Sequence, residues 1–316
     1  MNSYLITGGA GFIGSTLANN LCKENSVIVI DDLSMGKEEN LTKSPNITFI
    51  KGSVANKELM NDILSRNTFD YIFHLAAIAS VADSVERPVE THQINFESVL
   101  TLLELIKSYQ KDLKRLVFSS SAAVYGDEAT LPKKEESVIL PLTPYAVDKF
   151  AAEQYVLNYN HLYGIPTSAV RFFNVYGPNQ NPESPYSGVI SILVEQYKKL
   201  QSGTKAFFTL FGDGSQSRDF VFVEDVIQAL LLVASKEDAL GRQFNVGTGK
   251  ALDLNELIEV IDETLGVKLP VKYEAERDGD IKYSVADISK IKSLGFIPNF
   301  SIQKGIKKYL VSENLI

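Results

Sequence analysis

Six short apolar runs, alternating with helical stretches, constrain this chain more than any other feature. The runs are YLIT (4–7), VIVID (27–31), ITFIKG (47–52), YIFHLAA (71–77), RLVFSSS (115–121) and TSAVRFF (167–173). They are near-continuous in Val, Ile, Leu and Phe, as strands covered on both faces are. Helical patterns lie between them, near 12–23, 56–67, 88–108 and 144–163. This alternation predicts an α/β fold, a doubly wound parallel sheet with helices on both sides. Ligands of such sheets bind outside the carboxyl ends of the strands.

After about residue 172 the pattern loosens. NVYGPNQNPESPYSG (174–188) is too rich in turn formers to read as an element, and a loop this long in a compact protein is usually functional. Helical patterns follow near 188–202, 224–236, 253–264 and 301–310. The expected organisation is a first unit over residues 1–172, rejoined by about 216–248. A smaller mixed α/β C-terminal lobe is built from 173–215 and 249–316.

Composition excludes several classes. The net charge of −8 makes the chain a poor binder of nucleic-acid phosphate backbones. A single cysteine, Cys22, rules out a disulfide framework, and it reads as a buried structural thiol. His74, His92 and His161 are far apart without ligand spacing, so no metal site is expected. The opening MNSYLITGG runs straight into a strand with no signal-peptide pattern, and the most apolar run (226–235) is too short for a bilayer. The expected location is the cytoplasm, with no membrane partner.

The turn after the first run, YLITGGAGFIG (4–14), sets Gly8, Gly11 and Gly14 between a strand and a helix. Glycines there permit a tight turn and a close backbone approach to a pyrophosphate, which the helix N-terminus attracts. Simple turn chemistry would read the same way. Asp31, ending the second run 17 residues after Gly14, adds the acid that a ribose 2′-hydroxyl needs and a 2′-phosphate would not tolerate. Together they point to NAD rather than NADP. Strand alternation turns Asp32 to another face.

Tyr145 and Lys149 lie one helical turn apart in LTPYAVDKFAAEQY (142–155). With 14 tyrosines and 24 lysines in 316 residues, chance alone supplies about one Tyr-x-x-x-Lys match, and one occurs. The pair gains meaning from its place. Thr143 suits an N-cap and Pro144 the first helical position, and the helix follows a strand that ends in SSSAAVYG (119–126). Ser121, Tyr145 and Lys149 could therefore converge on one crevice. A capping hydroxyl and a solvated helix face are the plainer readings of Ser121 and Lys149.

TGGAGFIG, HLAA, SSSAAVYG, PYAVDK, RFFNVYGP, SRDFVFVEDV and NVGTG occur in one order along nearly the whole chain. In that order and spacing the sequence resembles the extended short-chain dehydrogenase/reductase superfamily, and within it nucleotide-sugar 4-epimerases of the UDP-galactose 4-epimerase type. The resemblance implies a Rossmann-type domain holding NAD through Gly8, Gly11, Phe12, Ile13, Gly14, Asp31, Ala76, Tyr145 and Lys149. It implies that Tyr145 acts as a phenolate base on the sugar's 4-hydroxyl, that Lys149 favours that phenolate, and that Ser121 passes the proton. Ala122 and Ala123 stand where 4,6-dehydratases carry an acid pair, and decarboxylases carry a Glu at the second position, which argues against both. Ser53 and Ala79 depart from the family pattern, which usually has an Asp facing adenine and often a Lys near the cofactor ribose.

For substrate the resemblance implies a UDP-sugar held by Asn174, Gly188, Val189, Phe211, Arg218, Arg277, Asp280 and Ser284, beside Ser121. Ser284 aligns with a position that gates the sugar's C2 side. A small residue there, with Ser187 and Gly188, resembles enzymes that accept 2-acetamido sugars. The expected reaction is UDP-N-acetylglucosamine to and from UDP-N-acetylgalactosamine, with UDP-glucose and UDP-galactose as a further substrate pair. A UDP-glucuronate 4-epimerase, a net reductase and a non-catalytic NAD-binding regulator are the alternatives. The resemblance also implies a homodimer packed through the helices near 88–108 and 144–163.

Overall fold

A computed structural model of the chain describes residues 1–181, 188–276 and 281–316. The strands are β1 (Ser3–Thr7), β2 (Ser26–Asp31), β3 (Ile47–Lys51), β4 (Tyr71–His74), β5 (Arg115–Ser121), β6 (Thr167–Phe172), β7 (Asn174–Tyr176), β8 (Phe208–Phe211), β9 (Ser217–Arg218), β10 (Phe220–Phe222), β11 (Gln243–Val246), β12 (Leu252–Asp253), β13 (Val271–Glu274) and β14 (Tyr283–Ser284). The α-helices are α1 (Phe12–Leu21), α2 (Lys57–Arg66), α3 (Val81–Glu86), α4 (Pro88–His92), α5 (Ser98–Tyr109), α6 (Pro144–Tyr163), α7 (Val189–Gln201), α8 (Val223–Ser235), α9 (Leu254–Leu265), α10 (Ser289–Lys292) and α11 (Ile302–Ser312). Among the described residues no helix is long and apolar enough to cross a membrane.

The six apolar runs all become strands of one parallel sheet, ordered β11-β6-β5-β4-β1-β2-β3. The strand order reverses between β1 and β4, the point at which such a sheet opens a crevice for ligand. Both faces are covered, as the unbroken hydrophobicity required. Tyr4, Ile6, Phe73 and Val117 pack with Leu17, Leu21, Leu230 and Val233 of α1 and α8. The intervening Leu5, Ile72, Leu116 and Phe118 pack with Leu64, Leu103, Ala152 and Val156 of α2, α5 and α6. A third core, including Leu193, Tyr197, Phe208, Leu257 and Ile306, belongs to the C-terminal elements. Cys22 is buried at the end of α1.

Three sequence expectations need correction. The 174–188 stretch is not wholly loop, because Asn174–Tyr176 forms β7, paired with β10. Pro and Gly lie after these three residues, so their turn-forming signal does not reach them. Within the 216–248 stretch expected to rejoin the first unit, Phe220–Phe222 pairs with β7 and stays off the main sheet, and β11 makes the return beside β6. The helix expected near 88–108 is also interrupted, by a π-helical turn at Gln93–Glu97.

The position of α6 is fixed by a buried charge network. Arg171 of β6 is 1% exposed and Glu153 of α6 is fully buried. The guanidinium forks onto the carboxylate, Nε donating to Oε2 at 2.9 Å and Nη2 to Oε1 at 2.5 Å. Nη1 also donates to the Tyr125 hydroxyl at 2.9 Å and to the Glu135 carbonyl at 3.1 Å. Tyr125 in turn donates to Asn245 of β11 at 2.7 Å. All the donors but one of the fork are thus engaged, which a buried guanidinium demands. Glu153→Gln, which leaves that charge unpaired, is expected to lower unfolding free energy by about 3–5 kcal/mol in urea titrations, whereas a change within 0.5 kcal/mol, typical of an exposed pair, would contradict this role.

Candidate active site

The glycine turn is shaped for close approach. Gly8 has φ +68°, in the left-handed region, and a Cβ on it would lie 2.7 Å from the Ala76 nitrogen. A Cβ on Gly14 would lie 2.2 Å from the Gly8 carbonyl oxygen, so α1 packs directly on the turn. Gly11 is the N-cap of α1 and supplies no side-chain cap, leaving the first-turn amides of Phe12, Ile13 and Gly14 without intrahelical acceptors. That end of the helix attracts an anion.

Asp31 ends β2 beside this turn and is buried. Its carboxylate accepts from Ala10 N at 3.0 Å and from Leu33 N at 2.9 Å. Burial pushes its pKa up, and these amides oppose the shift. Asp31 thus pins the turn, and its remaining lone pairs can take a ribose hydroxyl. Asp32 instead takes Ser34 N and is exposed. The uncapped helix start, the tight glycines and the acid at the end of β2 fit a dinucleotide with a free 2′-hydroxyl.

One strand across the switch point, β5 and α6 bring the chemistry together. Thr143 caps α6, its Oγ1 accepting from Ala146 N at 3.3 Å, with Pro144 at the helix start. Tyr145, Lys149, Ala152, Val156 and Tyr159 then form one buried stripe, polar at its first turn and apolar beyond. Tyr145 is 8% exposed and Lys149 3%. Lys149 is no solvated surface residue: its Nζ donates to the Ser119 carbonyl at 2.8 Å and lies 5.0 Å from the Phe118 ring centre.

Burial pushes the Tyr145 phenol above its ordinary pKa, and a hydrogen bond with Ser121 works against that rise. Burial also pushes the Lys149 amine down to about 7, opposed by the charge of Asp148. Ser121 Oγ accepts from Ala123 N at 3.2 Å as well, so the plain capping role and the contact to Tyr145 coexist. Ala122 and Ala123 open the short 3-10 turn directly after Ser121. Neither can serve as acid or base.

Of the substrate-side residues, Asn174, Arg218 and Ser284 come onto neighbouring strands. Ser121 and Phe172 are register partners at the ends of β5 and β6. Two residues on, Asn174 is exposed and its N–H donates to the Asp219 carbonyl at 3.0 Å. The neighbouring Arg218 pairs with Ser284 between β9 and β14. Its Nη1 donates to the Ser217 and Lys282 carbonyls at 2.9 and 3.3 Å. Asp219 is fully buried and takes Thr248 N, Gly249 N and Ala286 N at 2.7, 2.9 and 3.2 Å. That explains NVGTG: a Cβ on Gly247 would sit 2.7 Å from the Asp219 carboxylate. Gly188 caps α7, which Val189 begins, and Phe211 ends β8. Arg277, Asp280 and Ser187 lie outside the described residues.

Sequence reading missed the groups behind these side chains. Asn95, buried in the π-helical turn, donates to the Ile78 carbonyl at 2.9 Å and accepts from Ile78 N at 2.8 Å, holding the loop after β4. The Thr7 hydroxyl lies 2.9 Å from His74 Nδ1, and Ser119 donates to the His74 carbonyl at 3.0 Å. Burial, with the Lys149 charge, depresses the His74 pKa to about 3, so its imidazole is neutral. His74 was visible in HLAA, but its partners were not, lying 67 and 45 residues away.

Known proteins resemble this chain in sequence and fold. A model of the NAD dependent epimerase/dehydratase family matches residues 4–247. A putative UDP-glucose 4-epimerase of Methanocaldococcus jannaschii is 38% identical over 306 residues, covering 96% of each chain. The structure of a UDP-N-acetylglucosamine 4-epimerase from Methanobrevibacter ruminantium, in complex with UDP-N-acetylmuramic acid, superposes with TM-score 0.90 and 37% identity, covering 98% of this chain and 99% of that one. A Thermotoga maritima UDP-glucose 4-epimerase with UDP-glucose gives TM-score 0.91 and 37% identity over 99% of this chain and 100% of that one. With its parallel sheet, its glycine turn, and Tyr145 and Lys149 buried on the helix that follows β5, this chain belongs to the NAD-dependent epimerase/dehydratase family.

Proposed function

We propose that this protein inverts C4 of a UDP-hexose, interconverting UDP-N-acetylglucosamine and UDP-N-acetylgalactosamine, with Tyr145 as base, Ser121 as proton carrier and Lys149 as the supporting charge. The observation that carries this reading is Lys149, buried with its Nζ on the Ser119 carbonyl at the carboxyl end of β5, one helical turn after the buried Tyr145. The UDP-glucose and UDP-N-acetylglucosamine 4-epimerases among its relatives support the reaction class.

Bound through the glycine turn and Asp31, NAD supplies the acceptor that takes the C4 hydride and gives it back. The protein's own work is the proton. Tyr145, as phenolate, removes the 4-hydroxyl proton through Ser121 and later returns it. A phenol titrates near ~10 in water, and burial alone moves it the wrong way. Interaction with Ser121 opposes that rise, and in this reading a positive charge at Lys149 favours the phenolate as well. A 4,6-elimination would need an acid and a base after Ser121, and Ala122 and Ala123 supply neither.

Substrate choice rests on β14. Ser284 sits beside Arg218, a residue suited to fork onto a diphosphate. A serine there leaves space on the sugar's C2 side for an acetamido group. Removing the phenolic oxygen in Tyr145→Phe is expected to cut turnover of UDP-N-acetylglucosamine by about 10²–10⁴-fold, followed by proton NMR without added NAD, while substrate affinity is kept. Failure of the wild type on every UDP-hexose would sink the reading. Filling the gate with Ser284→Tyr is expected to reduce kcat/KM for the acetamido sugar by roughly 10–100-fold relative to UDP-glucose; equal losses on both would place the selection elsewhere.

A further inference from the structure

The connection from the turn after Ser121 to the start of α6 holds a charge pair that takes no part in the proposed chemistry. Its exposure is inverted: Leu131 is 44% exposed, while Lys133 is 3% exposed. Lysine is among the side chains least often buried, and then it needs a partner. Lys133 Nζ donates to the Glu128 carboxylate at 2.8 Å and also to the Glu128 carbonyl. The same carboxylate accepts from Thr130 N at 2.8 Å and from Thr130 Oγ1 at 2.6 Å. The side chain thus clasps its own loop, and the backbone of Lys133 is left for another segment. Its N–H donates to the Val285 carbonyl at 2.8 Å, and its carbonyl accepts from Asp287 N at 2.7 Å and Asn245 Nδ2 at 2.8 Å. Val285 directly follows Ser284, the β14 residue that pairs with Arg218.

We propose that Lys133, clasped by Glu128, is a positioning residue that sets β14, and with it Ser284, against the part of the site built on β5 and α6. The inference rests on the reading of Ser284 and Arg218 as substrate contacts. A buried ion pair is a weak source of stability, and its best-attested use is to fix one arrangement among several. β14 needs such fixing. It has two residues and lies at the edge of a small sheet ordered β12-β9-β14. Asp219 holds the segment after it through Ala286 N at 3.2 Å, but that ties it only to its own side, next to Arg218. Asn245 of β11 reaches the Asp287 carbonyl at a long 3.4 Å. The bridge between Lys133 and Ala286 makes the short contacts across. The other end of the loop is anchored to the network that places α6. The Glu135 carbonyl accepts from Arg171 at 3.1 Å, and its carboxylate accepts from Asn245 N at 2.8 Å. One loop therefore joins the gate strand to the catalytic helix.

The test compares the full-length protein with Lys133→Met by amide hydrogen exchange and by kinetics on UDP-N-acetylglucosamine. Exchange at the Asp287 amide is expected to quicken by about tenfold or more, while exchange in the glycine turn stays as it was. KM is expected to rise by about 5–20-fold, with kcat within about twofold of the parent. A pair that only stabilises the fold would lower the melting temperature and the active fraction, so the loss would fall on kcat and leave KM alone. That result overturns the proposal, as does unchanged exchange at Asp287 in the folded variant. Should Lys133→Met not fold, Glu128→Gln decides. Its amide oxygen can still accept from Lys133 and Thr130 without the charge, and the same two shifts are expected at smaller size. Unchanged exchange and KM in that variant overturn the proposal as well. Hydrogen exchange needs no turnover. A protein silent on every UDP-hexose would refute the proposed reaction, while exchange at Asp287 would still decide whether Lys133 fixes β14.

Discussion

The Arg171–Glu153 pair is the constraint from which the site follows. It joins the middle of α6 to β6 with both side chains buried, and breaking it is costly, because an unpaired buried charge costs more than the pair gains. Tyr145 and Lys149 lie on the same helix, two turns and one turn before Glu153. Fixing Glu153 fixes their rise and rotation over the end of β5. Tyr125 and Asn245 extend the network to β11, the strand that closes the sheet after the chain has built much of its C-terminal part. The catalytic helix is therefore held by contacts that lie outside the catalytic group itself.

A second principle is the use of strand ends as polar shelves. Along β5 the sequence changes from Leu116, Val117 and Phe118 to Ser119, Ser120 and Ser121. The apolar part is clamped between two helical layers; Ser119 and Ser120 are still buried, and Ser121 is the first to be partly exposed. There the backbone carbonyl of Ser119 can receive an ammonium, its side chain can reach His74, and Ser121 can meet a tyrosine. The same logic holds at β2, where five residues pack in the sheet and the sixth, Asp31, ties the glycine turn. Chemistry sits at the boundary because a group there can be desolvated enough to shift its pKa while still facing the crevice.

Local pattern was a good guide wherever a residue's role depends on its neighbours along the chain. RLVFSSS became β5 over the same residues, and the helix from Pro144 to Tyr163 has the start that Thr143 and Pro144 announced. The glycines of the first turn are legible in part for the same reason: the positive φ of Gly8 and the packing of Gly14 on Gly8 are local, whereas the approach of Gly8 to Ala76 is not. Legibility ends where partners are distant. Nothing local in TSAVRFF says that Arg171 is buried on a glutamate 18 residues earlier. Nothing in QINFE announces a π-helical turn that presents Asn95 to a loop 17 residues back. The short pairing of β7 with β10 was hidden because three residues carry too little periodicity to stand out beside a Pro/Gly-rich stretch.

The sequence by itself determined the parallel α/β architecture, the dinucleotide-shaped turn and the identity of the side chains available for chemistry. These follow from the period of hydrophobicity and from short-range sterics, which a linear chain already contains. Only the tertiary structure decided that Lys149 is buried rather than solvated, that Tyr145 and Ser121 meet, and that Asp148 is gripped by His92 56 residues away. Those outcomes depend on how far each group is removed from water and on which charge lies nearest. Neither quantity exists until strands and helices from across the chain have packed together.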